Sequence, residues 1–67
     1  MCKYDVVFDD SNSSVSKGFS SSYDYCMDWI EMNRSDKSSY FGDYVGGTVS
    51  IINIDTGDVV YTESISK

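Results

Sequence analysis

Three carboxylates, Asp24, Asp28 and Glu31, recur at helical spacing within the stretch from Tyr23 to Asn33. Side chains one turn apart lie about 6 Å from each other, a separation comparable to that of phosphates along a nucleic-acid strand. Two chemistries suit such a line. Asp24 and Asp28, at i and i+4, have the spacing of a general acid and base pair; alternatively the whole row imitates a nucleic acid towards a basic protein groove. A solvated helix edge is the plainer reading in both cases, and it outweighs catalysis strongly, because proton transfer near neutral pH usually rests on histidine and the chain has none. A serine or cysteine nucleophile would lack its imidazole partner, and no glycine-rich phosphate loop with its lysine is present. The chain reads as a non-enzyme with no catalytic residues.

Two other clusters carry chemistry. Asp9, Asp10, Ser11, Asn12 and Ser13 offer closely spaced oxygens, as a calcium loop does, but the glycine and distal glutamate of an EF-hand are missing at their offsets. A turn held by side chain to backbone hydrogen bonds is the better account. Tyr40, Phe41 and Tyr44 lie beside Gly42, Gly46 and Gly47. They either fold back to cap the open end of the core or ring a pocket in which aromatic faces stack on a base or nucleotide, with the glycines letting backbone amides approach the ligand. Without histidine or a close cysteine pair a zinc site is not expected, and no cofactor or metal is implied. A disulfide between Cys2 and Cys26 is open by count but disfavoured: Lys3 and Asp5 interrupt the N-terminus before an apolar run forms, so no export signal is expected.

The element that positions the acidic line is an amphipathic helix over Tyr23 to Asn33 with apolar residues on two faces. Tyr23, Cys26, Met27 and Ile30 form one stripe, suited to the core. Tyr25, Trp29 and Met32 form the other, a candidate contact surface that includes the single tryptophan. Ser21 and Asp24 have capping-box spacing at its start. Ahead of the helix, Tyr4, Val6 and Phe8 alternate with Lys3, Asp5 and Asp9 as a half-buried strand, and Val15 to Phe19 can return as a short second strand weakened by Gly18. After the helix, Asp36 to Gly47 reads as a loop. Thr48 to Ile54 and Asp58 to Ile65 flank Asp55-Thr56-Gly57 as a hairpin. Its expected register pairs Ile51 with Tyr61 and Ile52 with Val60, leaving Val49, Ile51, Val59 and Tyr61 on one face and Ile52, Ile54 and Val60 on the other. The fold class is α+β: one domain, residues 1–67, with an antiparallel sheet of three or four strands and one helix on one face, ordered ββαββ or βαββ.

Composition narrows the partners. Eleven Asp and Glu against five Lys and Arg give a net charge of −6, which repels phosphate backbones and argues against direct nucleic-acid binding. A protein partner with a basic groove fits better. No run approaches the roughly 18 apolar residues a membrane span needs. Aromatic residues make up 15% of the chain, a content that acidic disordered chains lack. A chain of 67 residues should expose roughly 4,200 Å² when folded, burying about 60% of its surface. Such a margin favours help from oligomerisation, as a twofold homodimer through the Tyr25, Trp29, Met32 stripe or the second hairpin face. Two other function classes stay open. One is sequestration of a small molecule such as a nucleotide signal around Tyr40, Phe41 and Tyr44, disfavoured because its phosphates would find only Lys17, Arg34, Lys37 and the terminal lysines; the other is a structural or assembly role.

Ser21 to Ile30, followed by Ser39-Tyr40-Phe41, Gly46-Gly47-Thr48-Val49 and Thr56-Gly57-Asp58-Val59-Val60-Tyr61, resembles short uncharacterised bacteriophage and prophage proteins. In size, acidity and lack of catalytic residues the chain is also similar to small phage anti-defence inhibitors, among them anti-CRISPR proteins and acidic inhibitors of uracil-DNA glycosylase. The resemblance implies an inhibitor that blocks a functional surface of a host defence protein in the host cytoplasm. It assigns no individual residue a role. The surface expected to do the blocking is Tyr25, Trp29 and Met32 with Asp24, Asp28 and Glu31.

Overall fold

A computed structural model describes residues 3–34 and 40–65. The chain runs β1 (Tyr4–Asp9), β2 (Ser14–Ser16), α1 (Tyr23–Asn33), α2 (Tyr40–Asp43), β3 (Thr48–Asn53) and β4 (Val59–Ser64). The strands form one antiparallel sheet in the order β2-β1-β3-β4, and α1 packs on one face of it, so the fold is α+β in the ββαββ form. The protein exposes 4166 Å², close to the size-scaling value.

β1 is central and its alternation holds: Val6 and Phe8 are fully buried beneath the helix, with Tyr4 packed beside them. One expectation fails at Asp5. Placed by alternation on the polar side, it is only 7% exposed. The reason lies in the returning segment, whose regular strand is shorter than Val15 to Phe19. β2 pairs Ser16 with Val7, the Lys17 amide still reaches the Val6 carbonyl at 2.8 Å, and Ser21 pairs again with Tyr4. Between them Gly18, at φ +78°, and Phe19 are two residues too many, and the Phe19 amide loses its place in the ladder. Asp5 Oδ1 accepts from that amide at 2.8 Å and from the Val6 amide at 2.7 Å. A buried donor without a partner is costly, so the carboxylate goes in.

α1 begins at Tyr23 because Ser22, with extended φ and ψ of −70° and 162°, turns its hydroxyl oxygen to accept from the Tyr25 amide. The cap is therefore Ser22, one residue later than the Ser21 and Asp24 spacing suggested; Ser21 is used in the bridge to Tyr4. Asp24 remains in the first turn, where the helix dipole favours negative charge. The helix buries Cys26 and Ile30 against Val6, Phe8, Val49 and Ile51, with Tyr23 and Met27 at the margin of that core.

The segment read as a loop contains a turn of helix, α2, whose Phe41 enters the core; residues 35–39 lie outside the described residues. In the final hairpin Ile51 faces Tyr61, as the pattern required. A register shift follows between Ile51 and Ile52, so Ile52 faces Val59 and not Val60. The extra residue takes Val59 off the core face, and both valines are exposed. The shift is set by the turn: the Gly57 amide, at φ +81°, bonds back to the Asn53 carbonyl, and Asn53 Oδ1 accepts from the Asp55 amide at 2.9 Å. The sheet face away from α1 bears Ser50 and Thr62, joined through their hydroxyls at 3.0 Å, beside the Ile52 and Val59 pair, so it meets water with polar and apolar groups together.

Candidate functional site

The outer face of α1 carries an open cleft of 380 Å³ lined by Tyr25, Asp28, Trp29 and Met32. These positions are i, i+3, i+4 and i+7, one continuous helical stripe. Met32 is 80% exposed and Tyr25 50% exposed. Trp29 behaves differently from its two companions. Its ring is partly buried, edge-on to Phe8 and Phe19 at 5.8 and 5.5 Å between centroids and tilted against Phe41 at 6.1 Å. Phe19 in turn meets Tyr25 edge-on at 5.5 Å. The stripe expected to stand free is thus anchored at its centre, and Trp29 serves both the core and the cleft wall. Phe19, which sequence reasoning did not place at this surface, is the back support; an isolated aromatic in a serine-rich run was the available signal.

Asp24, Asp28 and Glu31 are all exposed; Asp28 lines the cleft, and Asp24 and Glu31 lie about one helical turn to either side of it along α1. Among the described residues none of the three carboxylates makes a side-chain hydrogen bond or an ion pair. The Asp24 and Asp28 charges are available to a partner, whereas that of Glu31 is partly felt by Arg34. Of the six residues expected at the contact surface, Tyr25, Asp28, Trp29 and Met32 line the cleft, with Trp29 more deeply seated than expected, and Asp24 and Glu31 are exposed outside its lining.

Tyr40, Phe41 and Tyr44 form a second cluster with a different arrangement. Tyr40 and Tyr44 stack on each other at 6.5 Å, both lie against Phe8, and Phe41 meets Phe8 edge-on at 5.1 Å. Lys17 Nζ sits 4.0 Å from the Tyr40 ring centroid and 5.5 Å from that of Trp29, so this cation is already used within the chain. The rings close the end of the core. Gly47 also serves the fold: a Cβ there would come 2.2 Å from the Asp9 carbonyl oxygen. The close approach that glycine permits is made by the protein's own β1 backbone. In the adjoining turn Asp10 Oδ1 accepts from the Asn12 and Ser13 amides, each at 2.8 Å, and Ser13 Oγ donates to the Tyr44 hydroxyl. Among the described residues no group of three or more His, Cys, Asp or Glu comes together to hold a metal.

A third polar group was not legible from spacing. Arg34, which ends α1, forks onto Glu63 of β4 through Nε at 3.0 Å and Nη2 at 2.9 Å, and the Tyr61 hydroxyl donates to the same carboxylate. Burial raises the Glu63 pKa, but the bonds from Arg34 and Tyr61 and the Arg34 charge outweigh it, holding the carboxyl below its ordinary range. Donating to Glu63 raises the Tyr61 and Arg34 values. The trio ties the end of the helix to the outermost strand. Cys26 is a buried free thiol; burial first, and Asp5 second, raise its pKa, which suppresses the reactive thiolate. Cys2, its candidate disulfide partner, lies outside the described residues.

No protein-family model, curated protein or solved structure matches the chain. Among the described residues no helix is long and apolar enough to cross a membrane.

Proposed function

We propose that the protein is a non-enzymatic binding protein that docks the outer face of α1 onto a basic surface of another protein. The observation that carries this reading is the cleft between Tyr25, Trp29 and Met32 together with the unpaired carboxylates Asp24, Asp28 and Glu31 around it. Protein interfaces concentrate their energy in aromatic anchors surrounded by a polar rim, and helix-in-groove recognition uses anchors at i, i+3, i+4 and i+7. The resemblance to small acidic phage proteins gives the proposal its specific form, an inhibitor that covers a nucleic-acid-binding groove of a host protein. A second copy is the competing occupant of the same stripe, but two chains each at −6 repel, whereas a basic partner gains.

The test is recovery of bacterial proteins on the wild type and on a variant carrying Tyr25→Ser and Met32→Ser. These exposed positions are better controls than Trp29, whose removal would disturb the core. The expected result is a partner held by the wild type, lost on the variant and released by competing nucleic acid. Equal recovery on both proteins, or none on either, overturns the proposal.

A further inference from the structure

Resting on that reading, we propose that the α1 cleft receives an arginine side chain of the partner, with the guanidinium against the Tyr25 and Trp29 rings and paired to Asp28. The lining combines two aromatic rings, one thioether and one carboxylate. Each contributes a separate preference. Aromatic faces attract cations, and the carboxylate at the middle of the stripe supplies the counter-charge and two acceptor oxygens. Asp28 has no partner of its own among the described residues, so binding breaks no existing pair.

The apolar share of the wall selects between cations. A lysine ammonium is compact and strongly hydrated, and it would lose water against Met32 and the rings with little return. A guanidinium is planar, more weakly hydrated, stacks on aromatic rings and offers a fork that matches a carboxylate. Lys17, the described cation already over the Trp29 ring, does not line the cleft and is held by Tyr40. Asp24 and Glu31, about one turn away on either side, add long-range attraction without reaching the same group. An acidic protein that must compete with nucleic acid for a basic groove thereby gains one directional contact besides diffuse charge.

Trp29 is the only tryptophan, so its fluorescence reports the cleft directly. The probes are a short acetylated peptide of alternating glycine and arginine and its lysine counterpart, titrated into the full chain. The proposal expects a saturable change in Trp29 emission with the arginine peptide and several-fold weaker binding of the lysine peptide. Asp28→Asn should cost about tenfold in affinity, the loss of one charge-assisted pair. Asp24→Asn should cost about twofold, as a screened surface charge does. Circular dichroism checks that these exposed substitutions leave the fold intact. Equal binding of both peptides by titration calorimetry, with equal losses at Asp24 and Asp28 and unmoved Trp29 emission, overturns the arginine cleft while leaving an acidic docking face in place. Failure of both peptides to bind overturns the arginine cleft, and the docking reading falls with it only if the wild type also recovers no partner that the Tyr25→Ser, Met32→Ser variant loses. A wild type that scatters light as a dimer and is dissociated by Met32→Ser assigns the cleft to a second copy, and this too overturns the proposal.

Discussion

The two faces of α1 are built from similar side chains. The inner face offers Tyr23, Cys26, Met27 and Ile30, the outer face Tyr25, Trp29 and Met32, and each includes a methionine and a tyrosine. The inner residues meet β1 and β3, and two of them vanish from solvent entirely; on the outer face Met32 stays 80% exposed. The sheet supplies one apolar surface, and a helix can turn only one stripe towards it. What distinguishes the faces is therefore the supply of a second layer, and hydrophobicity alone does not predict which stripe is inside. Trp29 marks the boundary because its ring meets those of Phe8, Phe19 and Phe41.

Substitution at matched positions sharpens this difference most. Ile30→Ala opens a cavity among fully buried neighbours and should cost about 2–5 kcal/mol. Met32→Ala, two residues on, should change stability by no more than about 0.5 kcal/mol. Urea denaturation of the purified protein compares them. A large loss at Met32 would break the comparison, since it would mean that the outer face is covered in solution. Trp29→Ala falls between these extremes, at roughly 2–3 kcal/mol, below the range for fully buried aromatics because part of the ring is exposed. A cost as small as that of Met32 would place Trp29 wholly on the outer face.

Much of this was legible in the sequence. The helix bounds, the alternation of β1 and the pairing of Ile51 with Tyr61 follow from periodicity, which reports how side chains distribute between two sides of an element. Asp5 was missed because its burial depends on a bulge thirteen to fourteen residues away at Gly18 and Phe19, and periodicity within β1 carries no trace of it. The Val59 register was missed because the turn at Asn53 to Asp58 adds one residue that a regular ladder does not count. The contact stripe was visible as residue types, but the seating of Trp29 required knowing that Phe41 belongs to the core and that Phe19 folds under the helix. The Arg34 and Glu63 pair joins residues far apart in sequence and had no local signature.

The ends of α1 extend the comparison with smaller effects. Ser22→Ala removes the hydroxyl that receives the Tyr25 amide and should cost about 1 kcal/mol. Ser21→Ala should cost less, because the bridge to Tyr4 uses backbone atoms. Thermal melts of the two variants identify the cap, and the reverse order would return it to Ser21.

At the other end, Glu63→Gln tests how far the Arg34 fork holds the inner face of the helix to β4. The pair is exposed on the Arg34 side, at 49%, and mostly covered on the Glu63 side, at 19%, so screening limits its contribution to below about 1 kcal/mol. Its pH dependence reports the pair directly. The Glu63 pKa is lower in the folded protein than its ordinary value of 4.5, so folding favours the ionised form. The stabilisation is complete above that ordinary value and is lost as the pH falls through the lowered folded one. The stability gap between the wild type and Glu63→Gln should therefore be constant at neutral pH and narrow only below about pH 4.5, measured by urea denaturation at a series of pH values in matched ionic strength. The Tyr61 hydroxyl donates to the carboxylate in that same range, and Tyr61→Phe should narrow the gap in the same direction by removing one of the bonds that lowers the Glu63 pKa. A gap that stays constant down to the acid limit would show that Arg34 and Glu63 lie close without stabilising the fold, leaving Cys26 and Ile30 to hold the helix to the sheet.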